Sequence, residues 1–203
     1  MKILHVDSSI SGETSITRRL SRGVVARLLA LHPHAEVTVR DLAAEPLPYF
    51  DAATLADPGP GDPVSEGSSK PEAGSAARVL AEFMDANIVV VGVPMYNFGI
   101  PAQLKTWIDY LSVAGVTFRY TAQGPEGLAR GRRVILASAR GGLYPPGTPQ
   151  AAAEHQETYL KAVFGFFGIA DIEVVRAEGV RISPETAAAS IDTAEAQIAS
   201  LRP

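Results

Sequence analysis

An α/β sandwich is predicted, with one parallel sheet of five strands and helices on both of its faces. Three features of the 203 residues carry that prediction. Short β-rich runs alternate with segments whose apolar residues recur at helical spacing, the pattern of βαβ units. Residues 87–92, Asn-Ile-Val-Val-Val-Gly, run apolar without alternation, as a strand covered on both faces requires. No internal repeat and no second core pattern interrupts the series, so residues 1–203 read as a single domain.

The elements follow in order. Residues 2–6 form a short strand that ends in Asp-Ser-Ser, a polar loop. Residues 15–31 place Leu20, Val24, Val25, Leu28 and Leu29 on one helical stripe. Residues 35–39 make a second strand, with Val37 and Val39 on one face and Thr38 and Arg40 on the other. Residues 43–75 are rich in Pro, Gly, Ala, Asp and Ser and read as a long excursion with one short helix at 51–55. Loops of that length in a compact domain are usually functional covers or interfaces. Helical spacing returns at 76–84 through Val79, Leu80 and Phe83, and the third strand follows at 87–92. A helix from Pro101 to residue 113 carries Leu104, Trp107, Ile108 and Leu111, with the proline in the first turn, where no N–H is needed. Residues 115–131 are a hairpin-like excursion: Val116, Phe118 and Tyr120 alternate with Thr117, Arg119 and Thr121, and residues 123–127 supply turn chemistry. A fourth strand at 134–137, a helix at 150–167, a fifth strand at 172–175 and an Ala-rich helix at 183–201 complete the chain.

Five strands suit the flavodoxin-like, three-layer, doubly wound order 2-1-3-4-5 better than the six-stranded dinucleotide fold. In that order ligands sit beyond the carboxyl ends of the strands, where the order reverses between strands one and three. The loops after strands one, three and four are therefore the candidate site.

Composition narrows the chemistry. A hydrophobic content of 46% supports a large core, and a net charge of −4 with no basic run longer than two gives no footprint for nucleic acid or an anionic membrane. The absence of cysteine excludes disulfides, thiol redox chemistry and Cys-based metal sites. The first apolar run stops at Asp7, too early for a signal peptide, and no stretch approaches the roughly 20 apolar residues of a membrane span. A soluble cytoplasmic protein is expected.

The first loop, residues 8–17, carries six Ser or Thr and leads into a helix. A helix start leaves N–H groups unpaired and suits phosphate, with Ser9, Ser15 and Thr17 as added donors. The plain alternative is N-capping, but a cap needs one such residue. Neither G-x-G-x-x-G nor G-x-x-x-x-G-K-[ST] occurs, so a single-phosphate ligand fits best. The second loop, residues 94–99, gathers Met95, Tyr96, Asn97 and Phe98, which suit a flat ring with polar edges or, alternatively, packing on the next helix. The third loop holds Ala139, Arg140, Gly141 and Gly142, where paired glycines permit close backbone approach or merely a tight turn. Together the loops sketch flavin mononucleotide (FMN).

These segments resemble the FMN-dependent azoreductases, also described as NADH:quinone oxidoreductases. Beyond the loops, P-A-Q-L-K-x-W-I-D from Pro101, G-V-T-F-R-Y-T-x-x-G-P-x-G-L from Gly115, R-G-G at 140–142 and F-G-F-F-G-I at 164–169 are similar to that family's segments, in the same order. The resemblance implies a homodimer with two FMN sites at the subunit interface and NADH or NADPH as electron donor. It implies that Ser9, Ser15, Ile16 and Thr17 hold the phosphate end, and that Met95, Tyr96, Asn97 and Phe98 contact the isoalloxazine. Ala139, Arg140, Gly141 and Gly142 border the ring by the same implication. Tyr120 and the aromatic residues of 164–167 then wall the substrate pocket, partly from the other subunit. The 43–75 segment departs most from the family pattern, where donor or acceptor specificity is set.

The implied reaction is a ping-pong transfer of two electrons through the flavin from the nicotinamide to quinones or aromatic azo compounds. No protein nucleophile is required, and the proton comes from water or a residue such as Tyr120. His5, His32, His34 and His155 are expected to be structural or exposed. A flavodoxin-type electron carrier is the alternative, although such carriers are expected to be smaller and markedly acidic. A phospho-receiver shares the fold class and has Asp7 near strand one, but needs an aspartate after strand three, where Gly92-Val93-Pro94 stands.

Overall fold

A computed structural model of the chain describes residues 1–50 and 71–203. Five strands build one parallel sheet: β1 (Lys2–Asp7), β2 (Glu36–Asp41), β3 (Ile88–Pro94), β6 (Arg133–Arg140) and β7 (Asp171–Glu178), in the order β2-β1-β3-β6-β7. This is the 2-1-3-4-5 order read from the sequence. Between them, β4 (Phe118–Thr121) and β5 (Gly124–Gly127) form a separate antiparallel hairpin. The helices are α1 (Ile16–Leu31), α2 (Pro71–Asp85), α3 (Ala102–Leu111), α4 (Glu157–Phe166) and α5 (Pro184–Ala199). No helix among the described residues is long and apolar enough to cross a membrane.

Successive strand residues face opposite ways, so each strand feeds two cores. Ile3, Ile88, Val90, Ile135, Ala137 and Val175 pack with Leu20, Val24 and Leu28 of α1 and Ile198 of α5. Leu4, Val6, Val89, Val91, Val134 and Leu136 pack on the other side with Phe83 of α2, Trp107 of α3 and Phe164 of α4. β3 contributes to both and is buried along its whole length, which is why its sequence shows no alternation.

Four expectations change. Arg40 is buried and Val39 is 64% exposed, because β2 is the sheet's edge and Glu82 of α2 takes the Arg40 guanidinium through bonds of 2.7 and 2.8 Å. β6 extends to Arg140 instead of stopping at residue 137, since β7 pairs with it as far as Arg140 opposite Glu178. α2 begins at Pro71, so the excursion after β2 ends before residue 75; the short helix placed at 51–55 lies outside the described residues. The helix read at 150–167 is two pieces, a 3-10 turn at Pro149–Ala153 and α4. The break is made by Glu154, whose carboxylate accepts the N–H groups of Gln156 (2.8 Å), Glu157 (2.7 Å) and Thr158 (3.2 Å) and so caps α4.

The β4–β5 hairpin lies backbone to backbone against the turn after α4. A Cβ on Gly127 would fall 2.1 Å from the Gly168 amide nitrogen, and Gly168 itself has φ of 90°. Only glycine fits at both places.

Trp107 is fully buried and meets Phe83 edge-on, with ring centroids 5.9 Å apart. Its removal leaves a cavity at the centre of one core. Trp107→Ala is expected to cost about 3–5 kcal/mol, read as a fall in the denaturation midpoint with urea. A melting curve like that of the parent protein would show that α3 does not depend on this contact.

Candidate functional site

The parallel register sets Asp7 opposite Gly92 and Pro94 opposite Ala139, so the chain leaves β1, β3 and β6 at three adjacent points. Asp7 and Gly92 approach closely: a Cβ on residue 92 would lie 2.6 Å from Asp7 Oδ1. The Ser8 hydroxyl donates to the Gly92 carbonyl at 2.7 Å, joining the first loop to β3.

Ser9, Ser15 and Thr17 are buried in the first loop. The Ser15 hydroxyl accepts the Arg18 N–H at 3.3 Å and lies 3.0 Å from Thr17 Oγ1, so Ser15 is the N-cap of α1. The N–H groups of Ile16 and Thr17 have no acceptor among the described residues, which leaves two aligned donors at the helix start. Arg18 organises the loop from behind. Its Nε and Nη2 donate to the Ser9 carbonyl at 3.3 and 2.9 Å, while Nη1 and Nη2 meet the Asp41 carboxylate at 2.5 and 2.8 Å. Hydrogen bonding from Arg18, working against partial burial and joined by the N–H groups of Ala44 and Ala43, holds the Asp41 carboxyl at about 2, below its ordinary 3.8. Beneath the loop, Ser21 donates to Asp7 at 2.9 Å and lies 2.9 Å from His5 Nε2, a buried polar cluster with every member partnered.

In the second loop Met95 and Tyr96 are half-buried and Asn97 and Phe98 exposed. Tyr96 and Gly99 exchange backbone hydrogen bonds of 3.0 and 3.1 Å, closing a two-residue turn over Asn97 and Phe98. Both turn residues have positive φ, 48° and 72°. Such turns favour Asn-Gly; a phenylalanine in the second place is strained by about 1–2 kcal/mol. The turn is nevertheless pinned on every side. Met95 N–H donates to the Ala139 carbonyl at 2.9 Å, Ile10 N–H donates to the Tyr96 hydroxyl at 3.2 Å, and His155 N–H donates to the Phe98 carbonyl at 3.0 Å. The result is a turn whose backbone is fixed and joined to the hydroxyl-rich loop through Tyr96, with the Phe98 side chain 53% exposed.

The third loop departs from its sequence reading. Ala139 and Arg140 belong to β6, and the Arg140 side chain is almost fully buried among Glu157, Glu154 (3.6 Å) and Glu178 (3.7 Å), with its guanidinium 5.8 Å from the Tyr144 ring centroid. Burial pushes the Glu157 carboxyl up, but hydrogen bonds from Arg176 and the charge of Arg140 bring it below the usual range. At Gly141 the close neighbour is the Arg181 stem, 3.1 Å from where a Cβ would stand, and Gly142 accepts the Gly179 N–H at 2.9 Å.

Tyr120 is 75% exposed on the hairpin, edge-on to Phe118 at 5.6 Å, and no hydrogen bond or ring contact joins it to the three loops among the described residues. Of the aromatic residues at 164–167, Phe164 and Phe167 are core residues around Phe83, which removes them from any pocket wall; only half-buried Phe166 faces outward, 4.7 Å from Phe118. Sequence reading missed Arg18, Asp41 and Gln156. The first two sit 23 residues apart and the third inside a helical pattern, so no local motif marks them.

A family model described as a flavodoxin-like fold matches residues 1–201. The chain belongs to that family. Within the flavodoxin-like proteins it is 51% identical over 194 residues to an FMN-dependent NADH:quinone oxidoreductase of Methylocella silvestris, covering 96% of this chain and 95% of that one. The crystal structure of an azoreductase from Bacillus anthracis str. Sterne superposes with a TM-score of 0.86 at 33% identity, over 99% of this chain and all of the other. An FMN-dependent NADH-azoreductase from Bacillus anthracis str. Ames Ancestor, solved in complex with FMN, superposes with a TM-score of 0.84 at 27% identity, over 97% of both chains.

Two measurements check the geometry. Because Asp41 is depressed in the folded state, its contribution of about 1–2 kcal/mol, after solvent screening, is complete above pH ~4 and is lost as the pH falls toward ~2. Urea unfolding of the parent protein and of Asp41→Asn should therefore differ at neutral pH and converge in that acid window. Phe98→Gly should raise stability by up to ~1 kcal/mol by relieving the turn; a loss of stability would mean the phenylalanine's contacts outweigh its strain.

Proposed function

We propose that the protein is an FMN-dependent NADH:quinone oxidoreductase that also reduces aromatic azo compounds. The observation that carries this reading is the strained aromatic turn at residues 97–98 set beside a helix start with three buried hydroxyls and two N–H groups that have no acceptor among the described residues. Those residues fit the cofactor. Ile16 and Thr17 offer backbone donors and Ser9, Ser15 and Thr17 hydroxyls to a phosphate monoester. Met95, Tyr96, Asn97 and Phe98 offer an apolar face with polar edges to a flat ring, and the backbone of Ala139, Arg140, Gly141 and Gly142 borders it. FMN bound there would supply the two-electron chemistry that links reduced nicotinamide to a quinone or azo group.

The chain's own part is binding, orientation and control of water. Tyr96 joins the first two loops through its hydroxyl, so the phosphate end and the ring end share one rigid frame. Exposed Ile10, Phe98 and Leu143 give the mouth apolar walls that accept planar molecules of varied outline. A homodimer with its sites at the subunit interface gives exposed Tyr120 a role as a wall of the partner's pocket. Water or the Tyr120 hydroxyl supplies the proton. NADPH is a second donor, and the enzyme works in the cytoplasm.

The purified protein should be yellow and release FMN on heating. With FMN and a quinone present it should oxidise NADH with parallel-line, ping-pong kinetics. A protein that binds FMN but leaves NADH and NADPH unoxidised would be an electron carrier instead. Ser15→Glu puts a negative charge against the phosphate and should weaken FMN binding at least about tenfold; an unchanged Kd would remove the phosphate assignment from the first loop.

A further inference from the structure

Gln156 is fully buried, carries no charge, and belongs to no motif of the three loops. Its side chain nevertheless reaches two of them. The Nε2 group donates to the Val93 carbonyl at 2.7 Å, just before the aromatic turn, and Oε1 accepts from Arg140 Nε at 3.1 Å and from the Ser138 hydroxyl at 3.2 Å. The neighbouring residues continue the same contact: His155 N–H holds the Phe98 carbonyl at the far side of the turn, and Glu157 neutralises the Arg140 guanidinium. Residues 155–157 thus grip the aromatic turn at both ends and tie it to the end of β6.

We infer that Gln156 is a positioning residue that locks the 94–99 turn and the Arg140-Gly141-Gly142 segment into one rigid wall of the cofactor site. The inference rests on the flavin reading above for its functional meaning, while the grip itself is a property of the apoprotein. Two features support it. A turn with two left-handed non-glycine residues persists only where its surroundings over-determine it, and the 155–157 segment supplies that constraint from outside the turn. An amide also donates to a carbonyl and accepts from a cation at once while staying neutral at every working pH, which a buried site between Val93 O and Arg140 Nε demands. Glutamate at this position keeps the acceptor for Arg140 and Ser138 but sets an oxygen against the Val93 carbonyl; leucine keeps only the volume.

The test compares Gln156→Glu and Gln156→Leu with the parent protein, first without FMN. Backbone hydrogen exchange at Met95, Tyr96 and Gly99 should accelerate at least about tenfold relative to the amides of β1 and β3 in at least one variant that folds. FMN Kd, followed by flavin fluorescence, should rise at least about tenfold, the visible circular dichroism of the bound flavin should change, and kcat should fall more than KM changes. Wild-type exchange at 95–99 with wild-type FMN affinity would overturn the inference. So would a uniform loss of protection across the sheet with no excess at the turn, which is the signature of a merely structural glutamine. Failure of the parent protein itself to bind FMN would count against the proposed function, whereas the exchange measurement would still judge the grip.

Discussion

The backbone at Asn97 and Phe98 is the constraint on which the arrangement of the site depends. Two consecutive residues with side chains sit in the left-handed region, which Asn97 tolerates and where Phe98 loses roughly 1 kcal/mol or more against the right-handed alternatives. Such a turn relaxes unless other contacts define it, and here they come from four directions: β6 through Ala139, the first loop through Ile10, the segment before α4 through His155, and the turn's own bridge between Tyr96 and Gly99. Each contact is a backbone or hydroxyl hydrogen bond, directional and short in reach. They can be made together only when β1, β3 and β6 each end within two residues of the neighbouring strand, which the observed parallel register provides.

Charge is handled differently at the two flanks. Beside the first loop, Arg18 and Asp41 form a bidentate pair close to solvent, and Arg18 spends its remaining donors on the Ser9 carbonyl. The cation therefore fixes the loop's shape without neutralising the helix start, whose Ile16 and Thr17 N–H groups meet no acceptor among the described residues. At the other flank Arg140 is buried and its charge is met by Glu157, which also pairs with Arg176. A buried guanidinium is tolerable only with such partners. Its place at the last residue of β6 makes the strand's end rigid where a lone Gly-Gly turn would be soft.

The sheet order, the hairpin and nearly all helices were legible because they rest on periodicity: a doubly buried strand at 88–91, helical stripes at Leu20–Leu28 and Leu104–Leu111, and alternation at Phe118–Tyr120. Periodicity failed where one polar contact overruled it. Arg40 turned inward because Glu82 waits across the sheet edge, and the helix at 150–167 broke because Glu154 caps it. The site was legible in outline for the same reason. Hydroxyls before a helix and aromatics after a buried strand are local patterns, and they mark where a ligand fits. The residues that hold those patterns in place act at a distance in sequence, Arg18 on Ser9 nine residues away and on Asp41 23 away, Gln156 on Arg140 16 away and on Val93 63 away, and no spacing rule marks such partners. Phe164 and Phe167 show the converse: an aromatic run that looks like a pocket wall belongs to the core around Phe83.

These features divide the work of recognition from the work of rigidity. The groups offered to a ligand at the mouth are backbone N–H donors, hydroxyls and apolar faces, none of which reads one substituent pattern strictly. Asn97 apart, the charged side chains of Arg18, Asp41 and Arg140 and the amide of Gln156 stand one layer back and bond to other parts of the protein. Under the proposed function, such a layout binds one cofactor tightly through its phosphate and ring edge while leaving the opposite ring face open to any flat acceptor. Under that same proposal, discrimination among acceptors falls to what covers the open face, with exposed Phe98 and Leu143 at its rim. Breadth toward acceptors and precision toward the cofactor are compatible because different layers of the same three loops carry them.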